Sequence, residues 1–148
     1  MSEALLSEFI DDFPLLIEAG FVAVKQLDEV NATRLFNAAQ AISPQSTAPQ
    51  IGLGYIALNK LELKEAMRIF EGVIKAEPEN YLAQTFFGIC LLLTKTRREE
   101  GEKLIQEATA KTNDPTVKSL GAISLEWADK DLSKKGPPFF ADLESKDK

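Results

Sequence analysis

Residues 47–78 read TAPQIGLGYIALNKLELKEAMRIFEGVIKAEP, and their pattern recurs along the chain. Four markers in this stretch have a counterpart of the same residue type 34 positions earlier. The pairs are Gly54 with Gly20, Ala66 with Ala32, Phe70 with Phe36 and Pro78 with Pro44, and Gly88 continues the glycine series. Apolar residues fall at helical spacing between the markers, and prolines separate the units. The sequence therefore predicts a repeated pair of helices over about 13–113.

The second repeat has the clearest boundaries. Thr47 is predicted to cap a helix that has Pro49 in its first turn and runs to about Lys60. A partner helix is expected from Leu63 to Ala76, before Pro78 ends the unit. Two helices that cross closely need small residues where their backbones approach. We therefore expect Gly54 to face Ala66.

The third repeat departs from strict periodicity. Asn80 should cap a helix that continues through Leu93, and Thr96 with Glu99 matches the S/T-x-x-E pattern of a capping box for the partner helix. The residues expected inside that partner helix stand one position later than the period predicts: Gly101, Ile105 and Ala108. A one-residue insertion in the turn would account for this shift.

The two ends of the chain are predicted to flank the repeats. Apolar residues at helical spacing predict a short amphipathic N-terminal helix that caps the first repeat or forms a dimer contact: Leu5, Leu6, Phe9, Ile10 and Phe13. Asp12 is a candidate cap for the helix that follows. Asn113-Asp114-Pro115 begins a last helix, which carries Val117, Leu120, Ile123 and Trp127, ends near Leu132 and covers the final repeat. Residues 133–148 should form a flexible tail.

The repeat length and its glycine, alanine, aromatic and proline markers resemble the tetratricopeptide repeat. That resemblance implies an all-α fold, a right-handed superhelix of three helix pairs with a short N-terminal helix and a C-terminal capping helix. We expect one domain over residues 1–132, with repeats at about 13–46, 47–80 and 81–113 and the capping helix at 115–132.

The resemblance also implies where a partner would bind, because the first helix of each tetratricopeptide pair lines the concave surface. Each of those three helices contributes residues at i, i+4 and i+7 to one face. The nine candidate groove residues are Ile17, Phe21, Val24, Ile51, Tyr55, Leu58, Thr85, Ile89 and Leu92. Related repeats that grip an acidic carboxyl terminus use lysine, arginine and asparagine, whereas Ile17 and Phe21 stand at such positions here. An apolar groove instead suits an amphipathic helix or an extended apolar segment.

Two alternatives for the groove residues stay open. They could pack only against neighbouring helices of the same chain. The chain's own tail could also fill the groove, because Phe139 and Phe140 follow Pro137-Pro138 in an otherwise charged segment. Insertion of these phenylalanines into another copy would produce a homodimer.

Composition argues against several classes of function. The net charge is -6 and the chain has no histidine, which excludes histidine-dependent nucleophiles and histidine metal ligands and disfavours nucleic-acid binding. We therefore expect no enzyme activity, no metal and no cofactor. The apolar run from Phe86 to Leu93 is shorter than the roughly 20 residues that span a bilayer, and the start lacks the basic region of a secretory signal. A single cysteine, Cys90, fits the cytoplasmic location that we expect.

A small acidic chain of three such repeats with terminal helices is similar to the tetratricopeptide-type chaperones of bacterial type III secretion. The brief Asn113-Asp114-Pro115 entry to a single last helix resembles the needle-subunit group more than the translocator group. The resemblance implies that the groove shields an apolar helix of a secreted subunit before export, alone or with a co-chaperone. The alternative is a scaffold of repeats that joins two cytoplasmic proteins.

Overall fold

The computed structural model describes residues 10–132, which form helices and turns and contain no strand. Seven α-helices follow one another in the described part: α1 Phe13–Lys25, α2 Glu29–Ile42, α3 Ala48–Asn59, α4 Leu63–Ala76, α5 Tyr81–Leu92, α6 Arg98–Lys111 and α7 Pro115–Trp127. The predicted all-α class is confirmed, as are the bounds of α4. The contacts divide the chain into two compact units, residues 1–83 and residues 84–148.

In the first unit the helices α1 and α3 end in the same way. Leu27 follows α1 with a φ of 61°, and Leu61 follows α3 with a φ of 58°. The Leu27 N–H donates to the Val24 carbonyl at 3.0 Å, and the next N–H donates to Ala23 at 2.9 Å. This is a Schellman motif, in which the left-handed residue is usually glycine. Leucine at this position costs about 1–2 kcal/mol of backbone strain. Both repeats nevertheless have leucine at this position.

The repeated glycines of the first unit pack against the repeated phenylalanines. A Cβ added to Gly20 would lie 2.6 Å from the Phe36 ring, and one added to Gly54 would lie 2.7 Å from the Phe70 ring. Both rings are completely buried. The closest contact of Gly54 is with the flat Phe70 ring and not with Ala66, because the ring fills the space that the missing side chain leaves.

Helix α3 lies between two of these aromatic rings. Gly52 faces Phe36 of the preceding helix, where an added Cβ would collide with the ring, while Gly54 faces Phe70 of the following helix. The two glycines are two residues apart and therefore point to nearly opposite sides of the helix. Seven of the twelve residues of α3 are buried, so this helix is enclosed on more than one face.

Side-chain caps hold some of the helix starts. The Asp28 carboxylate accepts the Asn31 backbone N–H at 3.2 Å and the Asn31 side-chain amide at 2.7 Å. These two bonds lower the pKa of Asp28. The Asn80 side chain accepts the Ala83 N–H at 3.0 Å, as predicted for α5.

Two of the predicted caps were wrong. Asp12 makes no capping bond to α1, and Thr47 makes none to α3. Both residues already have helical dihedral angles, which turn the side chain away from the free N–H groups. The Thr47 hydroxyl instead donates to the Glu77 carboxylate at 2.6 Å, so that it links the start of α3 to the residue after α4.

The predicted capping box at Thr96 and Glu99 was also wrong. Residues Lys95–Arg97 form a 3-10 turn, and α6 begins at Arg98 with no side-chain cap. Thr96 lies inside this turn, whereas a capping residue must stand in non-helical backbone before the first helical turn.

In the second unit an aliphatic side chain, and not a phenylalanine ring, packs against glycines of neighbouring helices. The buried Ile105 side chain lies against Gly88 of α5, where an added Cβ would be 2.6 Å away. It also lies 3.2 Å from a Cβ added to Gly121 of α7, where the Thr109 methyl group is nearer still. Gly101, Ile105 and Ala108 are the buried residues of α6, which confirms the one-residue shift in the third repeat.

Short segments that are not α-helical precede α1 and follow α7. Ile10–Asp12 form a 3-10 turn before α1, and the rest of the predicted N-terminal helix lies outside the described residues. The Asp114 side chain accepts the Thr116 N–H at 2.8 Å, which confirms the predicted start of α7. A π-helical stretch, Ala128–Leu132, follows α7, and the tail lies outside the described residues. Within residues 10–132, every helix is too short or too polar to cross a bilayer.

Candidate partner-binding surface

The nine candidate groove residues differ in their exposure. Five of them are buried and offer a partner no substantial surface: Val24, Ile51, Leu58, Thr85 and Leu92. The other four are half-buried: Ile17, Phe21, Tyr55 and Ile89. The surface that a partner can reach is therefore narrower than the sequence pattern suggests.

Three of the half-buried residues come together in the first unit. The ring centroids of Phe21 and Tyr55 are 5.9 Å apart, with a 50° angle between the planes. Phe21 also meets Phe36 edge-on, with centroids 5.1 Å apart. Ile17 packs against the same buried cluster as these aromatic residues. The first unit thus has a half-exposed surface on α1 and α3, which we call the Phe21–Tyr55 surface, defined by Ile17, Phe21 and Tyr55.

The Phe21–Tyr55 surface rests on a rigid base. The buried residues beneath it are Ala23, Val24, Ala32, Phe36 and Ile56. Because the Phe36 ring is held between Gly20 and Gly52, the edge-on contact fixes the Phe21 ring as well. A preorganised aromatic pair loses little side-chain entropy when an apolar partner binds it.

A small cavity of about 130 Å³ opens near the ends of α1 and α3. Val24 and Ile56 contribute apolar walls, and Leu27 stands at its side. The Lys60 ammonium lies 2.9 Å from the Glu29 carboxylate and 3.2 Å from that of Glu62. These two carboxylates raise the pKa of Lys60. The cavity is large enough for one aliphatic side chain bordered by charged groups.

Only one candidate in the second unit is accessible. Ile89 packs on a core cluster made of Leu92, Ile105 and Ala128. Leu92 and Thr85 are completely buried, so they support the helix packing of this unit. A partner that reaches this unit would touch Ile89 alone among the three predicted residues.

Sequence reasoning missed three residues of the first unit. Leu35 and Leu53 are half-buried and pack on the same cluster as Phe21 and Tyr55. Leu27 is 91% exposed, which is the highest value among the large apolar residues that the structure describes. The recurrence of leucine 34 residues later, at Leu61, was a signal that could have drawn attention to this position.

Two observations concern metal binding and the reactivity of the cysteine. Residues 10–132 contain no group of three or more histidine, cysteine, aspartate or glutamate side chains able to hold a metal ion. Burial raises the pKa of the Cys90 thiol to about 12. This thiol is therefore protonated at neutral pH and is a poor nucleophile.

A scan against protein-family models finds no match to this chain, and a search of curated proteins finds none either.

Proposed function

We propose that the three helix pairs are tetratricopeptide repeats and that the protein is a binding protein whose Phe21–Tyr55 surface holds an apolar helix of a partner. The observation that supports this most directly is the half-exposed aromatic pair on adjacent helices, with centroids 5.9 Å apart. Aromatic side chains on a rigid base are typical anchors of protein interfaces. The chemical class of partner is an amphipathic helix with an apolar stripe.

The type III secretion chaperone function is the specific form of this proposal. A secreted subunit that polymerises outside the cell needs its apolar helix shielded before export, and the Phe21–Tyr55 surface suits that task. The partner would be a needle or translocator subunit, with or without a co-chaperone. The acidic character of the chain, with a net charge of -6, favours a cargo with basic residues beside its apolar stripe.

Co-expression with a candidate needle subunit tests the proposal. The wild-type chain should keep the subunit from polymerising, whereas Tyr55→Ala should weaken binding roughly tenfold or more, since burying such a side chain contributes about 1.5–3 kcal/mol. Leu61→Ala is the matched control, because Leu61 is an exposed apolar residue on a turn outside the surface. Ile89→Glu is a poorer test, because Ile89 packs on the core of its unit and a charge there would destabilise the fold.

The result that contradicts the proposal is equal binding by the wild type, Tyr55→Ala and Leu61→Ala, measured by isothermal titration calorimetry. Far-UV circular dichroism of each variant separates lost binding from lost folding. If two different proteins bind at once and neither depends on Tyr55, the scaffold alternative replaces the chaperone function.

A further inference from the structure

Helix α7 occupies the place of the first helix of a fourth pair. In the first unit the Phe36 ring lies between Gly20 and Gly52. In the second unit Ile105 lies between Gly88 and Gly121, although the Thr109 methyl group lies still nearer to Gly121. By this equivalence α7 corresponds to α3, the helix that begins a new pair.

The buried clusters agree with this equivalence. In the first unit Val24, Phe36 and Ile56 form a cluster on which Phe21 packs. The second unit has Leu92 and Ile105 in its cluster, with Leu125 and Ile89 packed on it. Under the glycine equivalence, Leu125 takes the place of Ile56, and Ile89 takes the place of Phe21.

The second face of α7 differs from that of α3. In α3, Gly54 stands two residues after Gly52 and is covered by the buried Phe70 of the next helix. In α7, Ile123 stands two residues after Gly121 and is 63% exposed. Trp127, one helical turn further along, is 37% exposed. These two apolar side chains form a face that the described residues leave partly uncovered, which we call the Ile123–Trp127 face.

The spacing of the repeats indicates what covers this face. The covering residue follows its glycine by 16 positions from Gly20 to Phe36 and from Gly54 to Phe70, and by 17 positions from Gly88 to Ile105. Phe139 and Phe140 follow Ile123 by 16 and 17 positions, and both lie outside the described residues. Apart from them, the segment 133–148 contains only two non-proline apolar side chains, Ala141 and Leu143.

We propose that the segment 133–148 of the same chain docks on the Ile123–Trp127 face through Phe139 and Phe140, as the remnant of a fourth repeat. Gly136-Pro137-Pro138 disfavours a regular second helix at this point. In the earlier repeats the second helix of a pair packs closely because a glycine of the first helix makes room for it. Ile123 stands at that glycine position in α7, so we expect the segment to pack less closely there and not as a helix. This inference does not depend on whether the Phe21–Tyr55 surface binds a partner.

Trp127 is the only tryptophan of the chain, so its fluorescence reports on the face directly. Phe139→Ala/Phe140→Ala should shift the Trp127 emission to longer wavelength and raise its quenching by acrylamide, because the indole gains contact with water. Leu143→Ala is the matched control, since it removes an apolar side chain of the same segment outside the repeat spacing, and it should change neither quantity. An emission spectrum unchanged by the double substitution would overturn the proposal.

A second measurement distinguishes the chain's own segment from a second copy. In a Cys90→Ala background, Ile123→Cys combined with Phe140→Cys should form a disulfide within one chain, detected as a monomer of altered mobility on non-reducing gels. Formation of covalent dimers alone, with a Trp127 emission that depends on protein concentration, would show a second copy on this face and refute docking in cis. Absence of any disulfide in the folded protein would also count against the proposal.

Discussion

The contact between Gly54 and Phe70 can be tested with a pair of identical substitutions that we expect to change the free energy of unfolding differently. Gly54 and Gly72 both lie within helices, in α3 and α4. A Cβ added to Gly54 would lie 2.7 Å from the buried Phe70 ring, whereas one added to Gly72 would meet nothing within 4 Å. Gly54→Ala and Gly72→Ala are therefore chemically the same change in two different environments.

The expected magnitudes follow from two terms. Replacing glycine by alanine in a helix gains about 0.8–1.0 kcal/mol in both variants. Gly72→Ala should show this gain in full. Gly54→Ala adds an overpacking cost of about 1–3 kcal/mol, because the Phe70 ring is completely buried and lies where the new methyl group would stand. The net effect at Gly54 is then between no change and a loss of about 2 kcal/mol.

Urea unfolding followed by circular dichroism measures both free energies. The free energies of unfolding of the two variants should differ by about 1–3 kcal/mol, and Gly72→Ala should be the more stable variant. Adding Phe70→Leu to Gly54→Ala provides a double-mutant cycle, in which the smaller side chain should recover part of the loss. Equal stabilisation by Gly54→Ala and Gly72→Ala would refute the close contact and with it the glycine–phenylalanine packing.

Three further results are expected. Leu61→Gly should be about 1 kcal/mol more stable than Leu61→Ala in thermal unfolding, because glycine accepts the positive φ without strain; equal stability would argue against the Schellman geometry. Ellman's reagent should not label Cys90 in the folded protein, since the thiol is buried and its pKa is raised to about 12, and rapid labelling under native conditions would contradict this burial. Hydrogen bonds from Thr47, and secondarily from Asn80, lower the pKa of Glu77. Their contribution to the free energy of unfolding is therefore present above the unfolded-state pKa of Glu77 and is lost as the pH falls through its folded-state pKa. Thr47→Val should therefore cost less than about 1 kcal/mol at neutral pH and nothing in acid, measured by urea unfolding, and an equal loss at both pH values would oppose it.

Much of the helix arrangement could be predicted from the sequence, because its markers act locally. Prolines and aspartates end and begin helices through their own backbone and side-chain geometry, which is why the start of α7 at Asp114-Pro115 was predicted. The one-residue shift of Ile105 was also visible as a break in a regular period.

The features that could not be predicted depend on contacts between helices. Gly54 was paired with Ala66 because both are small, but the sequence does not show that a phenylalanine ring makes the closest contact with Gly54. Leu27 gave no signal of its positive φ, since the usual signal is glycine. The capping pattern at Thr96 was present, yet a 3-10 turn occupied its place.

The candidate surface was predicted only in part for a related reason. A spacing of i, i+4 and i+7 places three residues on one face of a helix, but it does not show how much of that face neighbouring helices cover. In α3, Ile51 and Leu58 are 5% and 8% exposed, while Tyr55 between them is half-buried. The length and polar end of tyrosine allow it to reach the surface from a position where aliphatic residues stay inside.

The position of α3 between two phenylalanines has a consequence for how the first unit opens. Gly52 and Gly54 contact rings that belong to different neighbours, so unfolding of α3 removes the packing surface of both Phe36 and Phe70. We therefore expect that an opening that unfolds α3 also destabilises α2 and α4, and that the amide protons of the three helices exchange with solvent at similar rates. A partner bound near Tyr55 would consequently protect all three helices at once, although it touches only one of them.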